Sequence, residues 1–461
     1  MTAVDTIRLL TFIVVIALSP VGSAPAAVSE EPNTEILHKW LAVYNKGDAA
    51  ALKDFQQNYL GDANIAWALD TREESGGFDL VKVETDEPLK LAALLREHNF
   101  PSLWRVTMVR KSAAVPTLQS IEYRALPTSQ SEAFAALDKF ATRLADADEF
   151  SGVIAIAKHG RSLYIKALGM ADRSHNTAVT PNTQFLFASQ GKMFTAVAVL
   201  QLVAAGKVAL DDPIGTYLTD YPNREVAHKV TVRQLLAHQG GTGEMGLLEP
   251  QDAHNRATVH SIADIIKLNG SRPPAFEPGS KWDYSNYGYV LLGALVEKVS
   301  GSTYYDYVRN NIFRPAEMAH TSFPLREDMR GVAIGYTKAG GNALQATTDQ
   351  LPWRATPAGG GVSTAEDMLR FADALNAGRL IPKALLAEAT KNHTHGFGYG
   401  FISSQVDEFP YWGHGGGAPG NSLVLDYYPV TDTSFVCMSN RDPPVCDRLA
   451  FNFLFRSPRV P

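Results

Sequence analysis

Phe185-Leu186-Phe187-Ala188-Ser189-Gln190-Gly191-Lys192-Met193-Phe194-Thr195 opens the segment on which the reading of this chain turns. From Ser189 to Val203 the residues read as a helix, with Gly206 near its C-terminal end. Met193, Phe194, Ala196, Val197, Val199, Leu200, Leu202 and Val203 leave it almost no polar face, so it is expected at the centre of a domain. Lys192 then stands in the first turn of a buried helix, where an ammonium group is costly without a partner or a function. Ser189, three residues earlier, lies on the same side. Partial burial favours the neutral amine, which can accept the serine proton. The helix N-terminus adds a favourable dipole and free N–H groups near a developing oxyanion. Ser-x-x-Lys alone is a weak pattern, since a surface serine and a snorkelling lysine also produce it. Ser189 is nevertheless the only serine in the chain with lysine three residues on.

Two further stretches carry chemistry. In Phe276-Glu277-Pro278-Gly279-Ser280-Lys281-Trp282-Asp283-Tyr284-Ser285-Asn286-Tyr287-Gly288-Tyr289 a Pro-Gly turn leads into a tyrosine loop, with a helix expected from Tyr289 to Val299. Tyr284 and Asn286 are two apart, so an extended loop points both the same way. A phenol beside an ammonium group loses its proton more easily and can serve as base or acid. Asn286 can hold Lys192 and a substrate amide. Standing alone, the loop would read as an aromatic packing cluster. In Trp412-Gly413-His414-Gly415-Gly416-Gly417-Ala418-Pro419-Gly420 the glycines allow close approach of a ligand, and an edge strand would offer N–H groups to a carbonyl oxygen, with His414 as a further donor. A glycine-rich hairpin is the bland alternative. Tyr221-Pro222-Asn223 and His238-Gln239-Gly240 repeat parts of these patterns in the wrong setting or order and read as decoys.

Ser189-x-x-Lys192, Tyr284-x-Asn286 and His414-x-Gly416, in that order, resemble the three active-site motifs of the penicillin-recognising serine hydrolases. The nearest type is the group of class C β-lactamases, D-alanyl-D-alanine carboxypeptidases, D-aminopeptidases and related esterases. The resemblance covers roughly residues 135 to 455. Thr231 to His238 and Ala358 to Asp367 resemble further family segments, and Ser363 with Glu366 is read as a capping box. The resemblance implies an α/β (α+β) fold: an antiparallel sheet flanked by helices, an inserted all-helical lobe, and the site between them. It implies Ser189 as the acylated nucleophile, Lys192 and Tyr284 as proton carriers, and Asn286 as their positioner. His414 would replace the cationic residue usual in the third motif. The backbone N–H groups of Ser189 and Gly417, beside Gly416, would form the oxyanion hole. Histidine at 414, where many β-lactam-binding members carry Lys, favours esterase, amidase or D-amino-acid peptidase chemistry over efficient β-lactam hydrolysis. Binding of an anionic substrate would weaken as pH rises through the His414 pKa. A true β-lactamase or DD-carboxypeptidase is the alternative, and a non-catalytic peptidoglycan or peptide receptor is the alternative of another class. No cofactor or metal is required, because nucleophile and base are side chains.

The rest of the chain frames these motifs. At 461 residues it exceeds one ordinary core, and 45% hydrophobic with 20% charged residues fits a globular protein. A net charge of −6 without long like-charge blocks argues against nucleic acid as a partner. Arg8, the apolar run Leu9 to Leu18 and the small residues Ser23 to Ala27 read as a signal peptide over 1–27, which predicts a periplasmic or secreted protein with no stable membrane span after cleavage. Residues 30–127 are expected to form a separate α+β unit of unknown role. Its helices at Thr34 to Tyr44 and from Asp48 to about Tyr59 precede four strands, an order that resembles nuclear-transport-factor-2-like domains. The hydrolase-like domain is placed at 132–458. The expected partner is a small-molecule or peptide acyl substrate, cell-wall fragments among the candidates, with oligomeric state open. Cys437 and Cys446 are either bridged or two buried thiols. His393-Thr394-His395 lacks a third ligand at typical zinc spacing.

Overall fold

A computed structural model describes residues 31–341, 343–406 and 409–459. The expected signal peptide, 1–27, lies outside the described residues. Two compact units emerge: one is built on Ala141–Ala450, the other on residues 31–140 together with Phe451–Pro458. The division falls inside helix α4 (Gln130–Asp146) rather than in the linker at 128–131.

In the smaller unit, α1 (Asn33–Lys46) buries Ile36, Leu37, Trp40, Leu41 and Tyr44, the positions that share one helical face. It stops at Gly47, whose φ of 69° suits glycine. The Asp48 carboxylate accepts hydrogen bonds from the Ala50 and Ala51 N–H groups and caps α2 (Ala49–Leu60). A third helix, α3 (Ala66–Ser75), departs from the two-helix expectation. It buries only Ala68, Thr71 and Ser75, so its sequence carries no amphipathic stripe to read. Strands β1 (Phe78–Glu87), β2 (Lys90–Glu97), β3 (Leu103–Arg110) and β4 (Leu118–Ala125) form an antiparallel meander in chain order. Trp40, Tyr44, Phe78, Trp104 and Tyr123 meet in the core with ring centroids about 5 to 6 Å apart. The last turn of α14 (Val445–Arg456) belongs here as well. Buried Arg456 reaches Glu97 at 2.9 Å and Glu74 at 2.5 Å, and Trp104 Nε1 donates to Glu97.

The larger unit is organised by an antiparallel six-stranded sheet, ordered β7-β8-β9-β10-β5-β6. Its strands are β5 (Gly152–Lys158), β6 (Arg161–Leu168), β7 (Ile402–Val406), β8 (Phe409–Ala418), β9 (Asn421–Tyr428) and β10 (Thr433–Ser439). One face, through Val153, Ala155, Leu423, Leu425, Val436 and Met438, joins the main apolar core. That core holds α5 (Gly191–Ala204), which packs on α10 (Asn286–Ser300) and α11 (Tyr304–Val308). The short helices α6 (Arg224–Lys229), α7 (Val232–Leu236), α8 (Ala253–Thr258) and α9 (Ile262–Asn269) lie between α5 and α10 in sequence, and α10 packs on α7 and α9. Helix α12 (Ala365–Asn376) packs on β10 and β5, and α13 (Lys383–Ala389) packs on α12. Thr364, not Ser363, caps α12, its side chain accepting from Asp367 N–H. The Ser363 hydroxyl is engaged by Thr321 instead. Cys437 and Cys446 are joined in a disulfide that ties β10 to the start of α14.

Candidate active site

Ser189 sits in a single 3₁₀ turn, Ala188–Gln190, that feeds directly into α5. The expected helix thus begins two residues later than its motif. Ala188 has a φ of 38°, a left-handed conformation that costs a non-glycine residue of order 1–3 kcal/mol. The turn is held by close backbone approach on two sides. A Cβ on Gly359 would stand 2.0 Å from the Ala188 carbonyl oxygen, and one on Gly191 would stand 2.7 Å from Gly359 Cα. On β8, a Cβ on Gly416 would meet Ala188 Cβ at 3.2 Å and the Phe187 oxygen at 3.3 Å. Glycine is therefore needed at 191 and 359, while at 416 a side chain would press on the same turn.

Lys192 is fully buried, while Ser189 is only half-buried and so reachable. Three acceptor atoms surround the Lys192 amine: Asn286 Oδ1 at 2.7 Å, the Ala358 carbonyl at 2.8 Å and Ser189 Oγ at 3.3 Å. Burial lowers the Lys192 pKa to about 7, with Glu244 opposing the shift. A neutral amine has two N–H donors and one lone pair. The two carbonyl oxygens use the donors, which leaves the lone pair for the more distant Ser189 hydroxyl. The arrangement can therefore take the proton of Ser189 without rebuilding its own hydrogen bonds.

The Tyr284 ring lies 4.7 Å from Lys192 Nζ, and burial raises its pKa, with only partial relief from the Ser189 side chain. This corrects the expectation of a readily ionised phenol. Burial is the largest influence on the phenol and Glu244 adds to it. Tyr284 is held as a phenol and can donate a proton. Its hydroxyl is buried beside the Ser189 side chain and makes no close hydrogen bond, which leaves it available to a bound substrate or leaving group. Asn286 opens α10, with Ser285 as N-cap, and passes its Nδ2 to Glu244 at 2.9 Å.

His414 is buried on β8, and burial with the nearby Lys192 pushes its pKa down to about 3. It is a neutral imidazole at any ordinary pH, so the expected loss of anion binding through its pKa falls near 3 rather than near neutrality. Its carbonyl accepts from Gln190 Nε2 at 3.1 Å, and its own Nε2 is buried without a partner. Strand β8 is not a full edge strand. β7 pairs with it only as far as Gly413, so the partner strand stops just before His414-Gly415-Gly416-Gly417.

Sequence reasoning set His238 aside as a decoy, but its ring stacks on Tyr284 at 4.3 Å and faces Tyr289 at 5.0 Å. Its Nδ1 accepts from Ser285 N–H at 3.1 Å. The other decoy is structural: Tyr221 meets the Tyr287 hydroxyl, and Asn223 caps α6. His393 and His395 go to separate rings, Tyr399 and Trp282. Trp282 and Phe397 continue an aromatic wall outward from Tyr284. Glu244 and the Ala358 carbonyl were missed. Both lie on glycine-rich loops whose placement is tertiary, although the Ala358-Gly359-Gly360-Gly361 run was a visible signal.

This serine–lysine–tyrosine centre on a helix-flanked antiparallel sheet defines a serine hydrolase of the penicillin-binding-protein and class C β-lactamase type. The profile of the Beta-lactamase family matches residues 137–454, and the chain belongs to that family. It is 32% identical over 295 residues to the putative penicillin-binding protein PbpX of Bacillus subtilis, covering 63% of this chain and 71% of that one. It is 28% identical over 298 residues to esterase EstB of Burkholderia gladioli, covering 56% and 76%. A D-stereospecific amidohydrolase from Streptomyces sp. superposes with a TM-score of 0.58 at 27% identity, covering 68% and 97%.

Proposed function

We propose that the protein is an exported hydrolase that cleaves a small ester, amide or D-amino-acid peptide through an acyl-enzyme on Ser189. Lys192 takes the Ser189 proton as the hydroxyl oxygen bonds to the acyl carbon. Tyr284 passes a proton to the leaving group, which departs as an alcohol or amine. Water then attacks the acyl carbon and gives a proton to the Tyr284 phenolate, and as the Ser189–acyl bond breaks Lys192 returns its proton to the serine oxygen, releasing the carboxylic acid. Asn286 keeps Lys192 in place, and Ser189, Gly416 and Gly417 line the position of the carbonyl oxygen. The observation that carries this reading is the Lys192 amine, buried and bonded to two carbonyl oxygens with Ser189 Oγ as its third neighbour. The relatives' names support the substrate range: one is an esterase and one a D-stereospecific amidohydrolase. Neutral His414 supports esters and amides over β-lactams, because it offers no standing charge to a substrate carboxylate.

Export is supported by the pattern of residues 1–27 and by the Cys437–Cys446 disulfide, a bond favoured in oxidising compartments. Among the described residues no helix is long and apolar enough to cross a membrane. Turnover of a p-nitrophenyl ester, a D-alanine p-nitroanilide and a chromogenic cephalosporin tests the substrate assignment. The expected order has either of the first two well above the third, with all activity lost in Ser189→Ala. A cephalosporin turned over fastest would reverse the assignment to β-lactamase.

A further inference from the structure

Asn286 is a symmetric-looking amide at the hinge of the site, and its orientation decides whether it presents an acceptor or a donor to Lys192. The lysine can use only an acceptor for its N–H groups. Asn286 Nδ2, on the other side, meets the Glu244 carboxylate at 2.9 Å. A carboxylate only accepts, so it fixes the amide with Oδ1 towards Lys192, where the bond is 2.7 Å. We propose that Glu244 is a positioning residue of the hydrolytic centre, which locks the Asn286 amide and sets the charge environment of the lysine. This rests on the reading of Lys192 as the proton acceptor.

The loop that carries Glu244 is built for fixed placement. Gly241, Gly243 and Gly246 all have φ between 66° and 71°, a fold in the chain that favours glycine. Six consecutive carbonyl oxygens, from Gly241 to Gly246, are each satisfied from outside the loop. Ala275 N–H donates to Gly241, Arg272 to Thr242 and Glu244, the Ser285 hydroxyl to Gly243, Asn269 to Met245 and Asn255 to Gly246. Thr242, Met245 and Leu247 are buried while Glu244 alone in the stretch from Gly241 to Leu247 is exposed, so the tethered and packed backbone holds one outward-facing side chain in place. Arg272 grips the Glu244 backbone and leaves its carboxylate to Asn286.

The charge effect has a defined sign. Lys192 is faced by Ser189 from the serine turn, Tyr284, Asn286 and Tyr289 from the tyrosine loop and α10, the Ala358 carbonyl, His238 after α7, His414 on β8, and Glu244. Burial holds the two histidines neutral and the two phenols protonated, which leaves the Glu244 carboxylate as the group of this set that favours the charged lysine. It opposes the fall of the Lys192 pKa. Removing the charge lets that pKa fall further.

The test is the pH profile of kcat/KM for wild type, Glu244→Gln and Glu244→Asp, with ester turnover as the signal. Glutamine can donate as well as accept, so it no longer selects one Asn286 orientation. Glu244 is exposed, so the substitution leaves the core intact. In Glu244→Gln, kcat should fall about tenfold and the acidic limb should move to lower pH, while Glu244→Asp keeps the limb at its wild-type position. A Glu244→Gln limb at the wild-type pH, with or without a loss of kcat, would overturn the proposal while leaving Lys192 as base. A wild-type profile with no ionisation between about pH 6 and 8 would overturn the reading of Lys192, and this proposal with it.

Discussion

Lys192 shows how a burial cost becomes a chemical property. An exposed lysine is charged at pH 7 and useless as a base. Enclosed by α5, the tyrosine loop and the 358–361 loop, it is held near a pKa of about 7. The sign follows: activity rises with pH as the amine loses its proton and levels off above about 8. Lys192→Arg keeps the positive charge but cannot give it up, so kcat should fall by about 10²–10⁴-fold and the acidic limb should vanish, as a pH–rate profile would show. Tyr284 is driven the opposite way by the same burial, so in the proposed mechanism the base and the acid fall to two neighbouring groups. Ser189 and Lys192 were readable because an all-apolar helix has no structural use for a lysine in its first turn. Glu244 and His238 were not, because a loop held by Arg272, Asn255 and Asn269 carries no local pattern that reveals its neighbour.

At the scale of elements, the site is a meeting of three backbones rather than of three motifs. The serine turn and the loop 358–361 approach so closely that glycine is required at 359, and strand β8 packs tightly on the same turn at Gly416. Gly359→Ala would drive a methyl group to 2.0 Å from the Ala188 oxygen, at a φ of 144° that alanine rarely adopts. The expected result is a kcat loss of about 10²-fold and a lower melting temperature, read by ester turnover and circular dichroism. Strands β5, β6, β9 and β10 were legible as short runs rich in apolar and β-branched residues, and α5 as a longer run apolar nearly all round, whereas β7 was not read as a strand. Helix α3 was not, because its buried residues are few and mixed. The cap of α12 moved by one residue because Ser363 is drawn to Thr321 and leaves Thr364 to close the helix.

For the whole molecule, chain order and compact units diverge. The residues Phe451–Pro458 join the unit formed by 31–140, and buried Arg456 is their anchor, bonded to Glu97 and Glu74. A sequence reading assigns α14 to the domain that precedes it, since the buried ion pairs that capture its end have no local signature. Arg456→Ala leaves the buried Glu97 with Trp104 Nε1 but without its counter-charge and should cost the smaller unit about 3–5 kcal/mol, visible as an early transition in urea unfolding. Unchanged unfolding would contradict the anchoring role. The role of Ser189 as nucleophile is tested most directly by intact mass spectrometry. After incubation with a fluorophosphonate, the wild-type protein should gain the mass of one phosphonyl group and Ser189→Ala should gain none. An adduct of equal size on the folded mutant, or none on the folded wild type, would contradict Ser189 as the nucleophile.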